Sequence, residues 1–198
     1  MSLSQSQRFG ILALLALILV VTRLNHFALV PDASWAVFFI AGFYLRGSAR
    51  WAFPLLMALA VLADFIVISG QGIAFWSHYC MSPGYWCLLA AYGALWFGGS
   101  WLRSRHAGVG LRSLGMLTLT LLAATSVCFV ISNGSFYWLG TSVAEPTMNG
   151  WLVNMGHWYL TFLGTTAAYV GIAAALHVLV TRLFAGIGVH ARKPGGRG

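Results

Sequence analysis

Residues 51–70 read WAFPLLMALAVLADFIVISG, twenty positions with no basic residue and a single acid, Asp64. A bilayer core about 30 Å thick is crossed by about 20 apolar residues in an α-helix, so this stretch predicts a membrane span. The rest of the chain has the same character. Its 198 residues are 60% hydrophobic and only 7% charged, with a mean hydropathy of +0.82. Soluble domains carry roughly a quarter charged residues, so too little charge is present to solvate a globule of this size. The length fits one helical bundle, residues 1–198, with no second, soluble domain.

Outward from residues 51–70, charge-free windows predict five further spans, at about 9–26, 33–45, 85–102, 114–132 and 155–184. Helices are expected because lipid offers no partner for open backbone groups, and the period-two alternation of a membrane barrel is missing. The predicted fold is therefore an all-α integral membrane protein of six transmembrane helices. Arg8 ahead of the first window suggests a signal peptide, but Thr22, Arg23, Leu24 and Asn25 offer no small-x-small cleavage motif, so a retained first span is expected.

Eleven basic residues against three acidic ones give a net charge of +8. With six spans, Arg8, Arg46, Arg50, Arg103, Arg105, Arg112, Arg182, Arg192, Lys193 and Arg197 share one side, and only Arg23 lies towards the other. That asymmetry predicts cytoplasmic N- and C-termini in a cell (inner) membrane. The basic balance thus reads as a topology signal, with lipid rather than nucleic acid as the partner. Trp35, Trp76, Trp86, Trp138, Trp151 and Trp158 fall near the predicted outer face, more than an interfacial belt alone requires.

The predicted outer connections carry the side chains suited to recognition. They hold Asn25, His26 and Asp32, then His78, Tyr79, Cys80 and Tyr85, then Asn133, Phe136, Tyr137, Trp138, Glu145, Asn149, Asn154 and His157. Residues 71–84 and 133–154 read as connections of 14 and 22 residues, and loops of that length are more often functional. Three readings stay open for Cys80: a soft metal ligand, a disulfide partner of Cys87, or an inert thiol. Cys128, inside a span, reads as a small apolar packer. His106, His177 and His190 read as interfacial or solvated on the cytoplasmic side. Counting about 1.5 Å per residue, Asp64 lies roughly 20 Å along its helix from Trp51, at a depth similar to that of Arg23. An unpaired charge there costs at least ~2.5–3.5 kcal/mol, so an Arg23–Asp64 pair is expected, with proton coupling through Asp64 as the functional alternative.

Several of these motifs together carry a family likeness. They are Asn25-His26-Phe27, Phe53-Pro54-Leu55-Leu56 through Asp64, the Cys80 connection, and Ser132-Asn133-Gly134-Ser135-Phe136-Tyr137-Trp138. With six spans and basic inner connections, the chain resembles the substrate-binding S-components of energy-coupling-factor (ECF) vitamin transporters, and within them the BtuM-type cobalamin components. The resemblance implies an S-component-like bundle with no cofactor of its own. It implies a corrinoid substrate, cobalamin or cobinamide, bound at the outer face and released inward. It also implies that Cys80 meets the corrinoid cobalt, with removal of cyanide from cyanocobalamin as an associated activity. The substrate-contacting candidates under it are Asn25, His26, His78, Tyr79, Tyr85, Asn133, Phe136, Tyr137, Trp138 and Asn154. S-components that share an ATP-driven ECF module show small-x-x-x-small on the first span. Here Gly10, Ala13 and Ala16 recur every third residue, which leaves that module open as a partner. The rival from another class is a membrane haem or thiol redox protein that uses the outer histidines, or Cys80 and Cys87.

Overall fold

The computed structural model describes residues 3–24, 30–78, 81–106 and 108–190, and side chains as far as residue 183. All regular structure in them is helical: α1 (Gln5–Leu24), α2 (Ser34–Leu45), α3 (Ala49–Gly70), α4 (Pro83–Trp86), α5 (Leu88–Arg105), α6 (Leu111–Leu139) and α7 (Met148–His190). Short 3-10 turns at Arg46–Ser48 and Phe75–Ser77 flank α3. Four helical stretches among the described residues are long and apolar enough to cross a membrane: Gln5–Leu24, Ser34–Gly70, Leu111–Leu139 and Met148–Leu183.

Side-chain contacts give the helix directions. Phe9 meets Trp51 with ring centroids 5.7 Å apart, and Arg23 bonds Asp64, so α1 and α3 run parallel. Ser34, opening α2, also meets Arg23, so α2 runs against both, and Ser34–Gly70 is a hairpin reversed at Arg46–Ser48. α5 runs with α2, since Phe38 stacks on Tyr92 at 4.5 Å and Phe43 edges His106 at 5.5 Å. Contacts of Ser135 with Gly84 and of Ser126 with Tyr159 make α6 antiparallel to both α5 and α7. One end of the bundle gathers Asp32, Asp64 and Glu145. The other gathers Arg8, Arg46, Arg50, Arg103, Arg105 and Arg112. We refer to these as the acidic and basic ends.

α2 and α5 pack against each other at the centre. α2 has twelve residues, nine of them buried, and at about 1.5 Å per residue it is shorter than the hydrocarbon core is thick. α5 is not among the four long apolar stretches, because it carries Gly93, Gly98, Gly99, Ser100 and two arginines. Those small residues allow backbones to meet. A Cβ on Gly42 would overlap the Trp96 backbone, and one on Gly99 would overlap that of Phe39. Ser100 Oγ donates to Gly42 O at 3.0 Å across the same seam. Small residues at helix interfaces are how helices pack where no hydrophobic force separates protein from lipid. In contrast, α7 buries only 11% of its most apolar window and presents the rest outward.

Helix boundaries depart from expectation at three places. The 133–154 stretch, expected as a 22-residue connection, is helical at both ends and leaves only 140–147 between α6 and α7. Its polar side chains are satisfied within helices. Ser132 Oγ returns to Phe129 O, Ser135 Oγ to Ser132 O, and Asn154 Nδ2 bonds Asn133 Oδ1 at 3.3 Å across to α7. The fourth predicted span, 85–102, is displaced to Leu88–Arg105, because Pro83 starts a separate turn of helix. The last predicted span, 155–184, lies inside the longer α7. The predicted termini of the first two spans agree with α1 and α2 to within a turn, residues 25 and 26 lying outside the described residues.

Candidate functional site

Five helices converge on Arg23, near the acidic end. Arg23 is the last-turn cation of α1 and is only 9% exposed. Its Nε donates to Asp64 Oδ1 at 2.6 Å and its Nη2 to Asp64 Oδ2 at 2.8 Å, a bidentate fork. Nη1 is shared among Asp32 Oδ2 at 3.2 Å, Ser34 Oγ at 2.9 Å and Tyr92 OH at 3.2 Å. Tyr85, on α4, donates its hydroxyl to Asp64 Oδ2 at 2.6 Å. The expected Arg23–Asp64 pair is therefore present, inside a larger cluster that also takes in Asp32, Ser34, Tyr85 and Tyr92. Two carboxylates face one guanidinium, leaving the cluster one negative charge in excess when both are ionised. Two of the three acids in the chain are spent on this junction.

Tyr85, expected among the substrate-contacting residues, is buried and engaged with Asp64. It also marks where the cluster joins the Cys80 connection. Ser82 O accepts the Tyr85 N–H at the start of α4, and Gly84 lies directly on the Ser135 backbone. Ser135 Oγ donates to Gly84 O at 3.1 Å. A side chain at residue 84 would collide with α6, so glycine is what lets the connection clasp the helix. This clasp brings the 81–87 segment beside the polar-aromatic turns of α6, 51 residues away in sequence.

Those turns are ordered by their own contacts. Tyr137 is buried, donates to Thr147 O at 3.1 Å and accepts the Thr147 N–H at 3.3 Å, so it tethers the 140–147 connection. Trp138 is 39% exposed, with its ring edge-on to Tyr137 at 5.4 Å and to Trp151 at 6.3 Å. Phe136 is half-buried against the core. Buried Ser82 Oγ and Trp151 Nε1 have no hydrogen-bond partner among the described residues, and such orphaned atoms in a native fold call for a reason. His78 is half-buried after the turn Phe75–Ser77, whereas His157 is exposed against Trp158. Cys87 carries a free thiol and Cys128 is fully buried in α6. Asn25, His26, Tyr79 and Cys80 lie outside the described residues.

Two of the histidines expected to be interfacial or solvated meet at the basic end. His177 is half-buried, with its Nδ1 2.8 Å from Tyr44 OH, and His106 lies 5.6 Å away, ring centroid to centroid. Tyr44 is 133 residues from His177 in sequence, so no local pattern signals the contact. No protein-family model and no curated protein matches the chain.

Proposed function

We propose that this protein is a six-span transporter that binds a corrinoid at its acidic end and passes it inward, with Cys80 as a ligand of the corrinoid cobalt. The supporting observation is the clasp between Gly84 and Ser135. It joins two of the separate stretches that carry the likeness to BtuM-type components, the Cys80 connection and Ser132–Trp138. A flat macrocycle with an amide-bearing rim suits the company there: Trp138 as an exposed ring, Asn133 and Asn154 as amides, and the donors of Ser82 and Trp151, unpartnered among the described residues. The alternation of helix direction favours six crossings. The gathering of basic residues at the opposite end favours cytoplasmic termini. The first span, whose small residues recur every third position and not every fourth, favours transport without an ECF module.

A thiolate is a soft ligand for a transition metal with an open axial position. It donates more electron density than the neutral nitrogen base of the vitamin, and so loosens the group on the opposite face. For cyanocobalamin the step is a ligand exchange. Cys80 gives up its thiol proton and its sulfur replaces the nitrogen base on cobalt, while cyanide leaves with its electron pair, takes up the proton as hydrogen cyanide and yields its place to water, with no change in oxidation state. Mixing purified protein with cyanocobalamin, and following visible bands and free cyanide, tests the reading. Wild type and Cys87→Ser should shift the spectrum, while Cys80→Ser should not. A full shift in Cys80→Ser would overturn the assignment of the sulfur, and no corrinoid binding by wild type would overturn the function. A Soret band in the protein as isolated would favour the haem alternative.

A further inference from the structure

We infer that the cleft between the first turns of α1 and α3, at the basic end, binds the phosphodiester headgroup of an anionic phospholipid through Arg8, Arg50 and Ser48. This proposal is independent of the corrinoid reading. The cleft has a volume of about 500 Å³ and lies beside the reversal Arg46–Ser48, within the ~300–1,000 Å³ usual for small-ligand sites. Arg8, Gly47, Ser48 and Arg50 line its polar side, and Phe9 and Trp51, with ring centroids 5.7 Å apart, its apolar side. Neither guanidinium has an ion-pair or hydrogen-bond partner among the described residues. Arg8 is nonetheless half-buried, its Nη1 lying 3.9 Å from where a Cβ on Gly47 would stand.

Ser48 is what turns this basic surface into a site. It stands at the N-cap of α3 and is only 6% exposed, yet its hydroxyl makes no capping bond. A serine there ordinarily accepts a backbone N–H of the first turn, as Ser4 does for α1, where the Gln7 N–H donates to Ser4 Oγ at 3.2 Å. Ser48 Oγ has no other hydrogen-bond partner among the described residues, so a buried donor lines the cleft with its bond unmade. Such a group costs free energy until something pairs with it. The electrostatics ask for an anion at the same place. α1 and α3 run parallel, so the positive ends of both helix dipoles meet here, and neither first turn carries an acid. Cations are unfavourable at helix N-termini, and Arg8 and Arg50 add two of them. The chain's three acidic residues, Asp32, Asp64 and Glu145, all belong to the opposite end. Topology alone requires basic residues on this side, but not a cleft that sets two of them around a buried hydroxyl. Guanidinium groups pair with phosphate oxygens through parallel N–H bonds. Phe9 and Trp51 offer the glycerol and first methylenes an apolar wall at the edge of the membrane-crossing stretch Gln5–Leu24. That wall favours a lipid over free phosphate, and basic pockets at the cytoplasmic ends of membrane helices bind such headgroups.

Native mass spectrometry of the full chain, released from nanodiscs of equal phosphatidylcholine and phosphatidylglycerol, tests this. Wild type should retain phosphatidylglycerol in preference to phosphatidylcholine. Arg8→Gln and Arg50→Gln should each weaken that retention about fivefold, the equivalent of the ~1 kcal/mol that one basic residue contributes near an anionic surface. The double variant should lose the preference. Ser48→Ala, which keeps every charge, should also weaken retention. Arg112→Gln, a first-turn cation of α6 at the same end but outside the cleft, should change nothing. Equal retention of both lipids by wild type, or undiminished preference in the double variant, would overturn the proposal. A loss in Arg112→Gln as large as in Arg8→Gln would overturn it in favour of a diffuse basic surface. Retention of added inorganic phosphate with no phosphatidylglycerol preference would overturn it in favour of a soluble phosphate ligand.

Discussion

The two ends of this bundle handle buried polarity in opposite ways. At the acidic end, a guanidinium, two carboxylates, two phenols and a serine hydroxyl are closed on one another, with few lone pairs left to spare. At the basic end, a tyrosine and two histidines border an apolar cavity, and Asp32, Asp64 and Glu145 all lie at the other end. The first arrangement fixes helices to each other. The second leaves a space between them. In low dielectric a charged network holds only when every partner is in place, so the acidic end should be brittle and the basic end tolerant.

Removing Arg23 is the most severe way to test that contrast. Arg23→Gln leaves Asp32 and Asp64 without their shared cation, and breaking a buried pair from one side costs ~3–5 kcal/mol. For a chain of this size, that corresponds to a fall in melting temperature on the order of 10 °C. Asp64→Asn should cost less, because Arg23 keeps Asp32, Ser34 and Tyr92 as acceptors. The double change Arg23→Gln with Asp64→Asn should recover part of the loss. Thermal unfolding in one detergent, followed for all three variants, checks the order. An Asp64→Asn variant as unstable as Arg23→Gln would mean that Asp32 contributes little and that the junction is a simple pair.

Tyr85→Phe probes how the same junction reaches the candidate site. The lost bond is to a carboxylate, for which ~1.5–3 kcal/mol is usual. Because Tyr85 lies between Asp64 and the Gly84–Ser135 clasp, its loss should release the Cys80 connection while leaving α1, α2 and α3 joined. Hydrogen exchange across 78–87 should rise in Tyr85→Phe with little change in α1 or α3. A uniform rise over all helices would show that the hydroxyl serves general stability and not the connection.

The contrast between the ends also explains what sequence reasoning reached. The four long apolar stretches were legible because hydropathy and the absence of charge report a preference for lipid directly. Arg23 and Asp64 were legible as a pair because neither is tolerable alone in that setting. Asp32, Tyr85 and Tyr92 were not, since they arrive from separate helices and each residue type has ordinary roles elsewhere. The helical ends of 133–154 were missed for a related reason. Ser, Asn, Gly and Trp read as a loop, yet their hydroxyls and amides bond back into α6 or across to α7. The central position of α5 was hidden as well, because a helix covered by protein needs small residues more than apolar ones. Of the candidate substrate contacts, Tyr85, Phe136, Tyr137, Trp138, Asn133 and Asn154 gather at the acidic end. Cys80, Tyr79, Asn25 and His26 lie outside the described residues.

The smallest expected effect belongs to the basic end. Tyr44→Phe removes a hydrogen bond between two neutral groups, a phenol and an imidazole, both half-buried at the edge of a cavity. Such a bond contributes ~0.5–1.5 kcal/mol, and the imidazole left behind can turn towards the open side. Tyr44→Phe should therefore lower the melting temperature by only a few degrees, well short of Arg23→Gln. The imidazole should nevertheless gain freedom, so the His177 ring resonances in an NMR spectrum should narrow and move while those of the acidic-end tyrosines stay in place. If Tyr44→Phe were as damaging as Arg23→Gln, the tolerance argued for the basic end would be wrong, and the histidine pair would be a structural lock like the one around Arg23. If the ring resonances of His177 did not move at all, the hydroxyl would not be what orients that imidazole.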